Sequence, residues 1–180
     1  MKKQKTTLGI IAGNGNLPRS VIKACEKQGR PYFVVGLKGH ADPDLIPHGK
    51  GTYIRVGAVG KIIKTCHKAN VKEIVFIGGV RRPSVAEIIP DLKAFFILCR
   101  IGLRLLGDDS QLKLVVQEAE HNGLRVVGVD SIVPELLAER GVYGCVKPTK
   151  TDVADIQRGI QVAKALGQVD VGQAVIVQYG

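Results

Sequence analysis

Three short runs in this sequence, opening at Thr7, Tyr32 and Lys72, are apolar at nearly every position instead of at alternate ones. A strand reads that way when both of its faces are covered, so such runs belong in a parallel sheet sandwiched between helices. The segments between them supply the helices. Leu17, Val21, Ile22 and Cys25 recur at helical spacing with Lys23 and Lys27 opposite, and Gly29 closes the pattern. Val59, Ile62, Ile63 and Cys66 make a second buried stripe. A short strand is expected over residues 53–56 and a loop of unusual length over 36–52. The alternation predicts an α/β, Rossmann-like parallel sheet with helices on both faces, with ligands collecting at the carboxyl ends of the strands.

The first such end is the most informative. Leu8, Ile10 and Ile11 run into Gly13, Asn14, Gly15 and Asn16, residue types that accept the positive φ of a tight turn. Pro18 then suits the first turn of a helix, where a missing N–H costs nothing. A strand that hands over to a helix through glycines gathers backbone N–H groups and the positive helix end at one spot, a cradle for phosphate or carboxylate. A βα turn that binds nothing is the plainer alternative. A second glycine turn, GGVRRPS at 78–84, falls on the same edge, and one guanidinium of Arg81 or Arg82 there suits bidentate contact with a phosphate.

With 180 residues the chain has room for one ordinary core and a small appended unit. Its net charge of +10 points to an anionic partner, a phosphorylated metabolite, an anionic membrane surface or nucleic acid. The charges stand singly beyond Lys2, Lys3 and Lys5, and aromatics make up only 4% with no Trp, so the stacking platforms of single-strand binders are poorly supplied. No nucleic-acid partner is expected. Cys25, Cys66, Cys99 and Cys145 form no C-x-x-C pair, which fits a reducing cytoplasm. The apolar run before the first glycines is too short for a signal peptide, and Arg100 and Arg104 break the longest apolar stretch, 94–106.

Residues 88–106 read as a helix with Lys93, Arg100 and Arg104 on one stripe, either a core helix with one wet face or a surface that meets acyl chains or an anionic membrane. Asp108 and Asp109 sit where they cap a helix over 111–121 or, alternatively, hold Mg²⁺. A strand over 125–129 and a short helix over 134–139 follow. The expected organisation is a Rossmann-like domain over 1–143, a linker over 144–150 (GCVKPTK), and over 151–180 the opening helix and strand of a second domain. Val153, Ile156, Ile160, Ala163 and Leu166 stripe that helix and 174–177 form the strand.

Other chemistries fit less well. A dinucleotide fingerprint needs glycine where Pro18 stands and an acid after the second strand, where Gly36, Leu37 and Lys38 follow. The run 57–62, GAVGKI, lacks the spacing and the hydroxyl of a triphosphate loop. His40, Asp42, Asp44 and His48 could gather round Mn²⁺ or Zn²⁺, or simply belong to a solvated loop.

Four stretches together, GIIAGNGNLPRSVIKACEKQG at 9–29, GGVRRPS at 78–84, LLGDDSQL at 105–112 and DVADIQRGIQVAKALGQVDVGQAVIVQYG at 152–180, resemble the LpxI type of UDP-2,3-diacylglucosamine pyrophosphatase. The resemblance runs in order over nearly the whole chain. It implies hydrolysis of UDP-2,3-diacylglucosamine to UMP and 2,3-diacylglucosamine 1-phosphate in lipid A synthesis, with Mg²⁺ or Mn²⁺, in the cytoplasm at the inner membrane surface. It further implies that Gly13, Asn14, Gly15 and Asn16 face the phosphate or sugar, with Gly79, Val80 and Arg81 as a second wall and Gln173 as a contact from the second domain. The aspartate regarded as catalytic in the family lies beyond the portion matched here, so a substrate-binding fragment with little activity alone is expected. A non-catalytic nucleotide-sugar or lipid-phosphate binding module is the alternative, and a basic nucleic-acid-binding domain a third. The apolar strand at 174–177, without partners, predicts a homodimer or a tendency to aggregate.

Overall fold

The computed structural model describes residues 6–81, 108–169, 171–172 and 174–180, and the side chains among them except those of 108–114. The expected helix over 88–106, with Lys93, Arg100 and Arg104, lies outside these residues, as do Arg82, Cys99 and Gln173.

The chain divides into two compact units, Met1–Leu137 and Ala138–Gly180. In the first, five parallel strands, β1 (Thr7–Ala12), β2 (Tyr32–Leu37), β3 (Gly51–Ile54), β4 (Val71–Ile77) and β5 (Arg125–Val126), line up in the order β3-β2-β1-β4-β5. The helices are α1 (Asn16–Lys27), α2 (Val59–Lys68) and α3 (Asp108–His121). This is the doubly wound α/β order, in which the connections leave the central strand in opposite directions.

The near-continuous apolar strands are explained by two separate cores. Leu8, Ile10, Ala12, Val34, Val75 and Ile77 bury one face of the sheet with Val21, Ile22 and Cys25 of α1 and with Ile132 and Val133. Ile11, Val35, Leu37, Ile54 and Ile74 bury the other with Ile63 and Cys66 of α2 and Ala119 of α3. Successive strand residues point to opposite faces, so the stretch of a strand that is covered twice is apolar at successive positions. Burial also pushes the Cys66 thiol up to about 11, as an inert packing group.

Several boundaries differ from expectation. The third strand begins at Gly51, not at Tyr53, because Gly51 lies against β2: a Cβ there would stand 2.2 Å from the Val34 carbonyl oxygen, so only glycine permits this approach. Arg55 then accepts a turn hydrogen bond from the Ala58 amide, which takes Val56 out of the strand. Gly36 and Leu37 belong to β2, shortening the long loop to residues 38–50. The fifth strand pairs only at Arg125 and Val126 before the chain tightens into a 3₁₀ turn at Val129–Ser131, and 134–139 yields only the turn Pro134–Leu136, after which Leu137 is extended. Asp108 and Asp109 do not precede their helix but open it.

In the second unit, α4 (Lys150–Gln168) starts with a reciprocal cap: the Thr149 hydroxyl accepts from the Asp152 amide at 3.3 Å, and the Asp152 carboxylate accepts from the Thr149 amide at 2.7 Å. That backbone hydrogen bond holds the Asp152 carboxyl below its ordinary pKa. The expected strand over 174–177 is not a strand. Val175 and Val177 line a shallow recess with Ile156 and Gly159 of α4, Ile176 is 96% exposed, and the amides of Tyr179 and Gly180 donate to Asp155 at 2.9 Å each. Apolar alternation produces a strand only where a neighbouring strand accepts its hydrogen bonds, and among the described residues this segment has none.

Candidate functional site

The carboxyl edge of the sheet brings the two glycine turns together between β1 and β4, at the point where the strand order reverses direction. The Asn14 amide donates to the Gly79 carbonyl at 2.9 Å and the Gly79 amide donates to the Asn14 carbonyl at 3.0 Å, an antiparallel bridge beyond two parallel strands. The Gly13 amide is also engaged, with the Ile77 carbonyl at 2.9 Å. The donors facing outward are therefore a residue or two further on. Gly15, with φ 98, precedes α1, which has no side-chain cap and no acid in its first turn; Gly15, Asn16 and Leu17 are exposed while Pro18 is buried. Amides at such a helix start lack an intrahelical acceptor and carry the positive end of its dipole. Val80 and Arg81 emerge exposed from the partner turn.

A cation also stands at this helix start. Arg19, the fourth residue of α1, projects back toward the helix N-terminus as helical side chains do, and its guanidinium meets Asp44 at 2.7 Å and Asp42 at 3.4 Å in the loop after β2. Hydrogen bonding and attraction from Asp44, then Asp42, raise the Arg19 pKa. The same loop is held by the Tyr53 hydroxyl, which donates to the Asp42 carbonyl at 2.7 Å, and by Leu45, 3% exposed in the core. Asp42 and Asp44 thus serve as partners of Arg19 and do not gather with His40 and His48, as a metal reading of the loop requires. Among the described residues no three His, Cys, Asp or Glu side chains are placed to hold a metal ion. The His40 Nδ1 is buried without a hydrogen-bond partner. The GAVGKI run is structural: Ala58 and Gly60 are buried at the start of α2.

Of the residues singled out in the sequence, the structure brings Gly13, Asn14, Gly15, Asn16, Gly79, Val80 and Arg81 to one edge. Gln173 and the side chains of Asp108 and Asp109 lie outside the described residues. Arg19 carries its own signal in the sequence, a basic residue in an acid-free first helical turn.

Residues 7–136 match the LpxI N-terminal domain, and residues 139–180 match the LpxI C-terminal domain. The chain belongs to the LpxI family. It is 34% identical over 174 residues to the UDP-2,3-diacylglucosamine pyrophosphatase LpxI of Caulobacter vibrioides, an alignment covering 96% of this chain and 62% of that protein. The chain thus spans under two thirds of the length of this LpxI relative. Among solved structures it aligns with the Bordetella bronchiseptica enzyme WbmG in complex with NAD and UDP, at 16% identity and a TM-score of 0.41 over 66% of this chain and 35% of that one. It also aligns with a short chain dehydrogenase family protein from Francisella tularensis subsp. tularensis SCHU S4, at 13% identity and a TM-score of 0.34 over 91% and 65%. The edge that carries both glycine turns falls within the LpxI N-terminal domain match.

Proposed function

We infer that the protein takes part in hydrolysis of the pyrophosphate of UDP-2,3-diacylglucosamine to UMP and 2,3-diacylglucosamine 1-phosphate, with the edge between β1 and β4 holding the pyrophosphate. The observation that carries this reading is the paired glycine turns, with a helix start and Arg81 beside them, in a chain of the LpxI family. In this reaction a water oxygen bonds to one phosphorus, the bridging P–O bond breaks, and the departing phosphate takes the electron pair. The charge that spreads over the phosphoryl oxygens needs fixed donors. The amides of Gly15, Asn16 and Leu17 and the Arg81 guanidinium supply them, while Gly13, Asn14 and Gly79 hold those donors in place.

Mg²⁺ or Mn²⁺ is the cation the family reading calls for, with Asp108 and Asp109 as its candidate ligands. Among the described residues no three His, Cys, Asp or Glu side chains gather to complete its ligand set. The acyl chains of the substrate suit a reaction at a membrane surface, which the LpxI resemblance puts at the cytoplasmic face of the inner membrane. Among the described residues no helix is long and apolar enough to cross a membrane. The exposed apolar side chains of Ile156, Ile160 and Ile176 support self-association into a homodimer.

The test is to give the purified protein UDP-2,3-diacylglucosamine with Mg²⁺ or Mn²⁺ and follow both substrate retention and UMP. Retention with UMP release places a catalytic carboxylate among these residues; retention without release assigns this chain the binding part of the reaction. Failure to retain the substrate overturns the reading.

A further inference from the structure

Building on that reading of the β1–β4 edge, we propose that Gly78 is a positioning residue: with Gly13 it locks the two glycine turns into one backbone unit and so fixes where Arg81 leaves the sheet. Strands β1 and β4 run parallel, yet the bridge just beyond them, Asn14 with Gly79, is antiparallel. One of the two chains must therefore reverse within a residue, and Gly78, at φ 92, is the residue that does so. That backbone conformation is strained for any L side chain.

Space points the same way. A Cβ on Gly78 would stand 2.7 Å from the Asn14 carbonyl oxygen, 2.9 Å from the Gly13 carbonyl carbon and 3.0 Å from Pro18 Cγ. A Cβ on Gly13 would stand 2.2 Å from the Gly79 carbonyl oxygen. Most of these obstacles are backbone atoms of the opposite turn, so they cannot swing aside without parting the two hydrogen bonds that join the turns. Gly79 differs, because the atom a Cβ would meet there is the Asn14 Oδ1, at 2.5 Å, the end of a side chain. The glycines therefore serve close approach of one turn to the other, and ligand contact falls to the groups the lock presents. Arg81 follows Gly78 by three residues and inherits its direction from the reversal.

Two readouts test this. The first is the dissociation constant for UDP-2,3-diacylglucosamine in detergent micelles; the second, which needs no ligand, is the rate of tryptic cleavage at the Arg81–Arg82 bond. Gly78→Ala is expected to weaken binding about tenfold and to speed cleavage, the scale set by the strain of a side chain at such a φ. In an Arg81→Ala background the same substitution should add less than about twofold, because what the lock positions is gone. Gly79→Ala should be milder, and Asn14→Ala should remove its effect on cleavage while leaving that of Gly78→Ala. Equal losses from Gly78→Ala with and without Arg81, or unchanged cleavage, would overturn the proposal. Absence of binding by the unaltered protein would overturn the functional reading alone, and the cleavage ranking would still decide the lock.

Discussion

Replacing Glu73 by alanine is expected to lower the free energy of unfolding by about 3 kcal/mol. Glu73 is the third residue of β4, and its carboxylate joins two arginines from other elements: Arg30 in the turn between α1 and β2, and Arg125 directly opposite on β5. Glu73 and Arg30 are each 13% exposed, so removing the carboxylate leaves a desolvated guanidinium without its countercharge. Arg125 is 72% exposed and contributes little, since solvent screens an ion pair at that exposure. The two substitutions should therefore rank clearly in urea unfolding, with Glu73→Ala shifting the midpoint far more than Arg125→Ala. Equal midpoints would show that Arg30 is solvated well enough to need no partner.

The second large effect lies in the central strand. Ile10 is fully buried and stands opposite Val34 on β2 and Val75 on β4, so both neighbours wall its site and neither can move inward without breaking a strand pair. Ile10→Ala should cost about 3–4 kcal/mol, the lost transfer energy plus the cavity that remains. Ile176→Ala, at a site 96% exposed, should leave thermal unfolding of the protein unchanged. A small loss at Ile10 would mean that the sheet closes over the gap, contrary to the rigid two-sided packing described above.

The parallel sheet was legible because burial on both faces leaves an unmistakable pattern in β1, β2 and β4. Pattern failed where the decisive contact was backbone on backbone. Gly51 looks like loop until its approach to the Val34 carbonyl is seen, so the start of β3 could not be read from side-chain types. Residues 174–177 show the reverse error, since Val175 and Val177 have the alternation of a strand but no adjacent strand among the described residues to make them one. At the candidate site, the turn residues were visible individually, whereas the bridge of Asn14 to Gly79 joins positions far apart in sequence and leaves no compositional trace. Asp42 and Asp44 were visible as carboxylates suited to a metal; only the fold shows that Arg19 takes both.

The most direct test of the account is calorimetric titration of UDP-2,3-diacylglucosamine, in detergent micelles, into the purified protein and into its Arg81→Ala variant. The account predicts saturable binding by the unaltered protein and a loss of about 1.5–3 kcal/mol in the variant, as expected when a charged hydrogen bond to phosphate is removed. Binding unaffected by the substitution would contradict the placement of the pyrophosphate beside Arg81, and no binding by either protein would contradict the proposed substrate.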